Sequence, residues 1–301
     1  MLPGVSALAL ALILVAAFSH ATWNLAAKKS GGGLPFVWLS GSLALLLYVP
    51  VVATYWWWQR PVLPAGTLFV IVGSGFLKTA YALLLQRGYR RGDFSLIYPL
   101  ARGTGPLLST LAAILIFGEH PTPLALLGGA IIITCVFYLA GGFSWAGRTL
   151  WVRHGSAETP HPTTAILYGL ACGAVIAAYT VWDQHAVSHL HLPPVVYDAG
   201  TQTIMCCILT PFAWPRRAEV AREWREHRWH ALTVAALASF SYVLILTAMK
   251  FTPVSYIAPA REISIVIGAF FGARLLKEAE SRRRLLAAAG MVVGVIALAL
   301  G

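Results

Sequence analysis

Apolar runs of about twenty residues recur along almost the whole of this 301-residue chain, and no other feature limits its possible folds so severely. Crossing the roughly 30 Å hydrocarbon core of a bilayer as a helix takes about 20 such residues. With 58% hydrophobic and 11% charged residues and a mean hydropathy of +0.72, the chain lies outside the range of water-soluble domains. The runs are continuous and rich in Leu, Ala and Gly, as in 124–139, without the short alternating segments of a barrel. Helices close their backbone hydrogen bonds internally, so the expected class is an all-α membrane protein. Ten spans are expected, at about 5–27, 34–55, 65–86, 94–117, 122–141, 163–186, 193–213, 229–249, 253–273 and 285–301. The first lacks a basic leading region and is too long for a secretory signal, so it reads as a retained span.

Cys135, Cys172, Cys206 and Cys207 fall inside spans without metal-type spacing and read as small apolar packers. The net charge of +11 does not imply nucleic acid, because the basic residues sit in short links. Of 22 Lys and Arg, three lie in spans, 17 in links on one side and two, Arg60 and Lys250, on the other. By the positive-inside rule the crowded side is cytoplasmic and both termini lie outside. Trp56, Trp57 and Trp58 suit an aromatic belt at the opposite interface. The Arg- and Glu-rich stretch 216–228 reads as a surface-lying cytoplasmic link.

The sequence also repeats itself. Trp23 and Trp182, Pro35 and Pro194, Gly41 and Gly200, Arg102 and Arg261, and Glu119 and Glu278 all stand 159 residues apart, and Asn24 meets Asp183 at the same lag. Trp, Arg and Glu are scarce enough in an apolar chain for this alignment to be informative. Two five-span units follow, 1–141 and 163–301, joined by a linker at 142–162. Five is odd, so the second copy enters the membrane inverted relative to the first, a plan whose substrate sites lie between the repeats near the midplane.

Ionisable residues within spans are costly unless paired or facing water, which makes Lys78, Arg102, Arg261, Asp183, Asp198 and Glu262 candidate functional groups. Their charges balance, so mutual pairing is the plain reading of most of them. The alternative makes Arg102 and Arg261 ligands for an anionic group, through planar bidentate donors, and gives Asp183 or Glu262 a substrate ammonium or a coupling proton. Repeat symmetry places Arg102 with Asn24 toward one face and Arg261 with Asp183 toward the other, where Asp198 joins them. His20, Trp23 and Asn24 share one face of the first span. Tyr98 and Trp182 are candidate cavity aromatics. Pro99, Pro106 and Pro259 are expected to interrupt the fourth and ninth spans. His185, His189 and His191 lack a completing ligand, so no metal is expected. Without a phosphate-binding loop the chain is not expected to hydrolyse ATP. No cofactor and no enzymatic chemistry are expected, because no nucleophile or acid–base pair is concentrated at membrane depth.

Ten spans in two inverted fives, the Gly118-Glu119 pair, the strings His20-Ala21-Thr22-Trp23-Asn24, Tyr98-Pro99-Leu100-Ala101-Arg102-Gly103-Thr104 and Tyr179-Thr180-Val181-Trp182-Asp183, and Ala260-Arg261-Glu262 resemble the drug/metabolite transporter superfamily and its EamA-type branch. The resemblance implies a secondary transporter in a bacterial-type inner membrane. Its partners would be a small-molecule substrate, lipid and a coupling proton, and it would have no prosthetic group. Export of amino-acid-like or drug-like solutes is the direction implied first, and uptake of an anionic or zwitterionic solute such as an aminophosphonate is the alternative. The resemblance also implies cytoplasmic termini, opposite to the charge count.

Overall fold

The computed structural model describes residues 6–30, 33–91, 94–139, 162–267 and 282–301, and among them there are helices and links but no strand. The helices are α1 (Ala7–Lys29), α2 (Leu34–Gln59), α3 (Thr67–Arg91), α4 (Phe94–Phe117), α5 (Pro123–Leu139), α6 (Pro162–Gln184), α7 (Pro194–Ala213), α8 (Arg217–Met249), α9 (Val254–Ala260) and α10 (Arg282–Leu300). Of the expected linker at 142–162, residues 142–161 lie outside the described residues, as does Glu278 of the repeat, while Pro162 begins α6.

Five helical stretches are long and apolar enough to cross a membrane: Ala7–Ala27, Leu34–Gln59, Thr67–Leu85, Ile166–His189 and Pro194–Met249. Ala101–Phe117, Pro123–Tyr138 and Ala289–Leu300 are shorter apolar helices. The outer surface is correspondingly greasy, with Leu46, Val49, Leu115 and Ile116 at 65–82% exposure. Water would penalise such a surface and lipid does not, so this is a multi-pass membrane protein. Trp57 and Trp58 are more than three-quarters exposed at the end of α2, as an interfacial belt requires.

Prolines in the first turn start several helices, where a missing N–H costs nothing. Pro35 does so in α2 and Pro194 in α7. Gly33, before α2, has φ +108°, a backbone state that residues with a Cβ rarely adopt.

Two elements depart from the expected spans. The helix containing the eighth span begins at Arg217, not near 229, because the 216–228 stretch is itself helical and runs into the span across a kink at His227. Its Arg and Glu side chains are mostly exposed. In the ninth span α9 ends at Ala260, Arg261 and Glu262 form a turn, and helix resumes over 263–267. Pro259 lacks an amide hydrogen and so removes one rung of the helical ladder. By contrast α4 runs unbroken through Pro99 and Pro106, so only one of the two expected interruptions occurs.

Packing joins the two halves of the chain. The closest helix pairs are α4 with α6, α1 with α8, α5 with α10, α2 with α7 and α8, and α3 with α6 and α7. Small residues permit the α5–α10 approach: a Cβ on Gly128 would stand 2.6 Å from the Gly294 carbonyl oxygen. The short α9 lies against α4 and α5. Its start is capped from the other half by Glu119, whose carboxylate accepts the amide hydrogens of Val254 and Ser255, both at 2.9 Å. A carboxylate on exposed helix N–H groups is favoured by both hydrogen bonding and the helix dipole.

Candidate functional site

Five of the six intramembrane ionisable residues pair with one another. Lys78 projects from α3 with its Nζ 3.4 Å from Asp183 Oδ2 on α6 and 3.6 Å from Asp198 Oδ1 on α7. It also donates to Thr201 Oγ1 at 3.1 Å. Asp183 is fully buried and receives hydrogen bonds from Ser74 (2.5 Å), Tyr197 (2.6 Å) and Tyr242. Asp198 receives one from Tyr48 at 2.5 Å. Tyrosine rings wall the ammonium, with the Tyr242 centroid 4.2 Å and the Tyr197 centroid 5.8 Å from Nζ.

The second group lies beside the first. Arg102 on α4 pairs with Glu262 at 2.9 Å, in the turn that follows α9. The neighbouring Arg261 has no carboxylate within ion-pair distance among the described residues; its guanidinium carbon lies 5.8 Å from the Tyr242 ring centroid. Both arginines line one pocket, with His20 and the small residues Ala16 and Ala17 of α1, and Ser241 and Tyr242 of α8. Among the described residues, the two guanidinium groups against the Glu262 carboxylate leave one positive charge in excess.

The two arginines therefore line one pocket. The helix break at Pro259 and the packing of α9 against α4 bring them together. Asn24 is exposed and its amide donates to the His20 carbonyl within α1. Trp23 stacks edge-on against His20 at 4.8 Å and otherwise packs with Phe36, Leu39 and Val234. Trp182 donates from Nε1 to the Val70 carbonyl at 2.9 Å and lies over Gly73, locking α6 to α3. The Tyr98 side chain lies outside the described residues. His185 and His189 stack at 5.3 Å on a π-helical turn that continues α6.

Tyr48, Ser74, Tyr197, Thr201 and Tyr242 are not among the residues the sequence singles out, whereas Asp198 is, grouped with Arg261 and Asp183. A spacing signal existed: Ser74 and Lys78 stand at i and i+4, and Asp198 and Thr201 at i and i+3, so each pair shares a helix face.

A family model, the EamA-like transporter family, matches this chain twice, over residues 7–141 and 163–300. The chain belongs to the EamA-like transporter family. A crystal structure of another protein aligns over 97% of this chain and 98% of its own, with a TM-score of 0.71 and 16% identity, a likeness of fold. The comparison with curated proteins found no match. Family membership carries the expectation of a transporter of the drug/metabolite type over to this chain.

Proposed function

We propose that this EamA-type chain is a secondary carrier that moves a small solute bearing an anionic group, by alternating access, through the pocket between α1, α4, α8 and the broken ninth span. The observation that carries the reading is Arg261, a guanidinium in a membrane-embedded pocket that no carboxylate neutralises among the described residues. Burying an unmatched charge costs several kcal/mol, roughly, unless a partner or water meets it. A solute carboxylate, phosphonate or phosphate would match it with two parallel hydrogen bonds. Arg102 and Glu262 form the adjoining pair, which a zwitterionic solute can compete for at both ends. His20 completes the lining.

Ten spans arranged as two inverted five-helix repeats, 1–141 and 163–301, fit this mechanism. The helix pairs support the arrangement: at the 159-residue lag, α1 against α8 corresponds to α6 against α3, while α2–α7, α4–α9 and α5–α10 correspond to themselves. A bacterial-type inner membrane, export of an amino-acid-like solute and coupling to a proton complete the reading; an aminophosphonate importer would use the same pocket in reverse.

The test is counterflow in vesicles reconstituted with the pure chain and offered radiolabelled amino acids and aminophosphonates. Saturable counterflow is expected for wild type. Arg261→Lys keeps the charge and loses the planar fork, and is expected to cut counterflow about tenfold or more, the equivalent of one charge-assisted hydrogen bond. Full-rate counterflow in Arg261→Lys overturns the role of Arg261. Conversion of a solute to product overturns the carrier reading in favour of an enzyme.

A further inference from the structure

The Lys78 cluster holds two carboxylates and one ammonium, all within the helix bundle. If both aspartates were ionised the cluster would carry one net negative charge, and a buried net charge is expensive. Every element packed on it contributes. Tyr48 comes from α2, Ser74 and Lys78 from α3, Asp183 from α6, Tyr197 and Thr201 flank Asp198 on α7, and Tyr242 comes from α8. Among the described residues Lys78 is the cation that reaches the carboxylates; Arg261 lies on the Tyr242 ring.

The two carboxylates are not equivalent. Asp183 is met by three hydroxyl donors as well as by Lys78, with donors on both of its oxygens. Asp198 has one close hydroxyl, from Tyr48, on Oδ2. Its Oδ1 has only Lys78 at 3.6 Å and Thr201 at 3.5 Å, the latter hydroxyl being turned to the Asp198 carbonyl oxygen at 3.0 Å. If Asp198 carries the proton, Tyr48 can accept from it and the cluster becomes neutral.

The fold does not demand these charges. At the 159-residue lag Lys78, Asp183 and Asp198 correspond to Leu237, Asn24 and Leu39. Leu39 there belongs to a packed apolar group with Phe36, Ala231 and Val234. One half of the bundle is thus held at this place by apolar contacts, and the other carries a charged cluster next to the candidate solute pocket.

We infer that Asp198 is a proton-binding site, protonated in the state described here. The coupling use of that proton rests on the carrier reading; the site itself does not. The experiment is infrared spectroscopy of the full chain in lipid at neutral pH, with hydrogen–deuterium exchange and no solute. The expected result is a carboxylic-acid carbonyl band in wild type that is lost in Asp198→Asn. In Asp198→Glu, which retains the acid, the band persists but moves to a glutamic-acid position. Absence of the band in wild type, or an unmoved band in Asp198→Glu, overturns the inference even if Asp198→Asn does not fold. A chain that shows the band yet moves no solute refutes the carrier reading alone.

Discussion

Removing the ammonium at the centre of the buried cluster should cost more than removing it together with one of its carboxylates. In Lys78→Met the aspartate at 183 keeps three hydroxyl donors but loses its cation at 3.4 Å. With an effective dielectric near 20, a pair at that distance attracts by about 5 kcal/mol. Part of this is offset by the ammonium's own desolvation, and breaking one side of a buried pair is generally worth about 3–5 kcal/mol. At roughly 2–4 °C per kcal/mol, by analogy with soluble domains of about 150–250 residues, the thermal midpoint in detergent should fall by roughly 10 °C. In the double variant Lys78→Met with Asp183→Asn the cluster is neutral again, provided Asp198 holds its proton, and most of the loss should be recovered. Midpoints for wild type, the two single variants and the double variant form a complete cycle. Equal losses in the single and the double variant would refute the reasoning, since the penalty would then come from lost packing around the lysine stem and not from an uncompensated carboxylate.

Two further predictions concern contacts between the halves of the chain. Glu119→Gln keeps one carbonyl acceptor for the start of α9 and loses the charge and one of the two 2.9 Å bonds; a loss of about 1–2 kcal/mol is expected from thermal denaturation, and an unchanged midpoint would show that the cap is idle. Gly128→Ala sets a methyl 2.6 Å from the Gly294 carbonyl and 2.8 Å from the Leu298 amide nitrogen, backbone atoms that cannot rotate away. It should cost about 1–3 kcal/mol by the same measurement. Gly129→Ala, whose nearest contact is 3.3 Å to Pro259, should cost less; the reverse order would contradict the described α5–α10 approach.

Most of the helical plan was legible in the sequence because lipid imposes one requirement, a long apolar run, on every span. It was least legible where a span carries a second signal. The polar stretch 216–228 reads as a link by composition but continues into α8, because helix propagation is local and its Arg and Glu residues are good helix formers. Proline proved a poor guide alone: Pro106 sits inside α4, whereas at Pro259 the helix gives way to a turn. A single missing N–H can be tolerated when neighbouring helices hold the segment, and the sequence does not record which neighbours those are.

The candidate site shows the same division between what composition reveals and what packing decides. Charges in spans stand out because they are expensive, so Lys78, Arg102, Asp183, Arg261 and Glu262 were visible from the residue types alone. Their partners were not, since pairing depends on which helices touch. Tyr242 was hidden for another reason: a tyrosine in an apolar span is ordinary until its hydroxyl is seen to donate to Asp183 while its ring lies beside both Lys78 and Arg261. That position makes it the shared wall of the charged cluster and the pocket. An anion that draws Arg261 away from the ring removes a cation–π contact from the same side chain that holds Asp183. If a solute anion draws Arg261 off the ring in this way, occupancy of the pocket and the charge of the cluster would be linked through one residue, and by thermodynamic reciprocity a proton on the cluster would alter anion affinity by the same factor as the anion alters proton affinity.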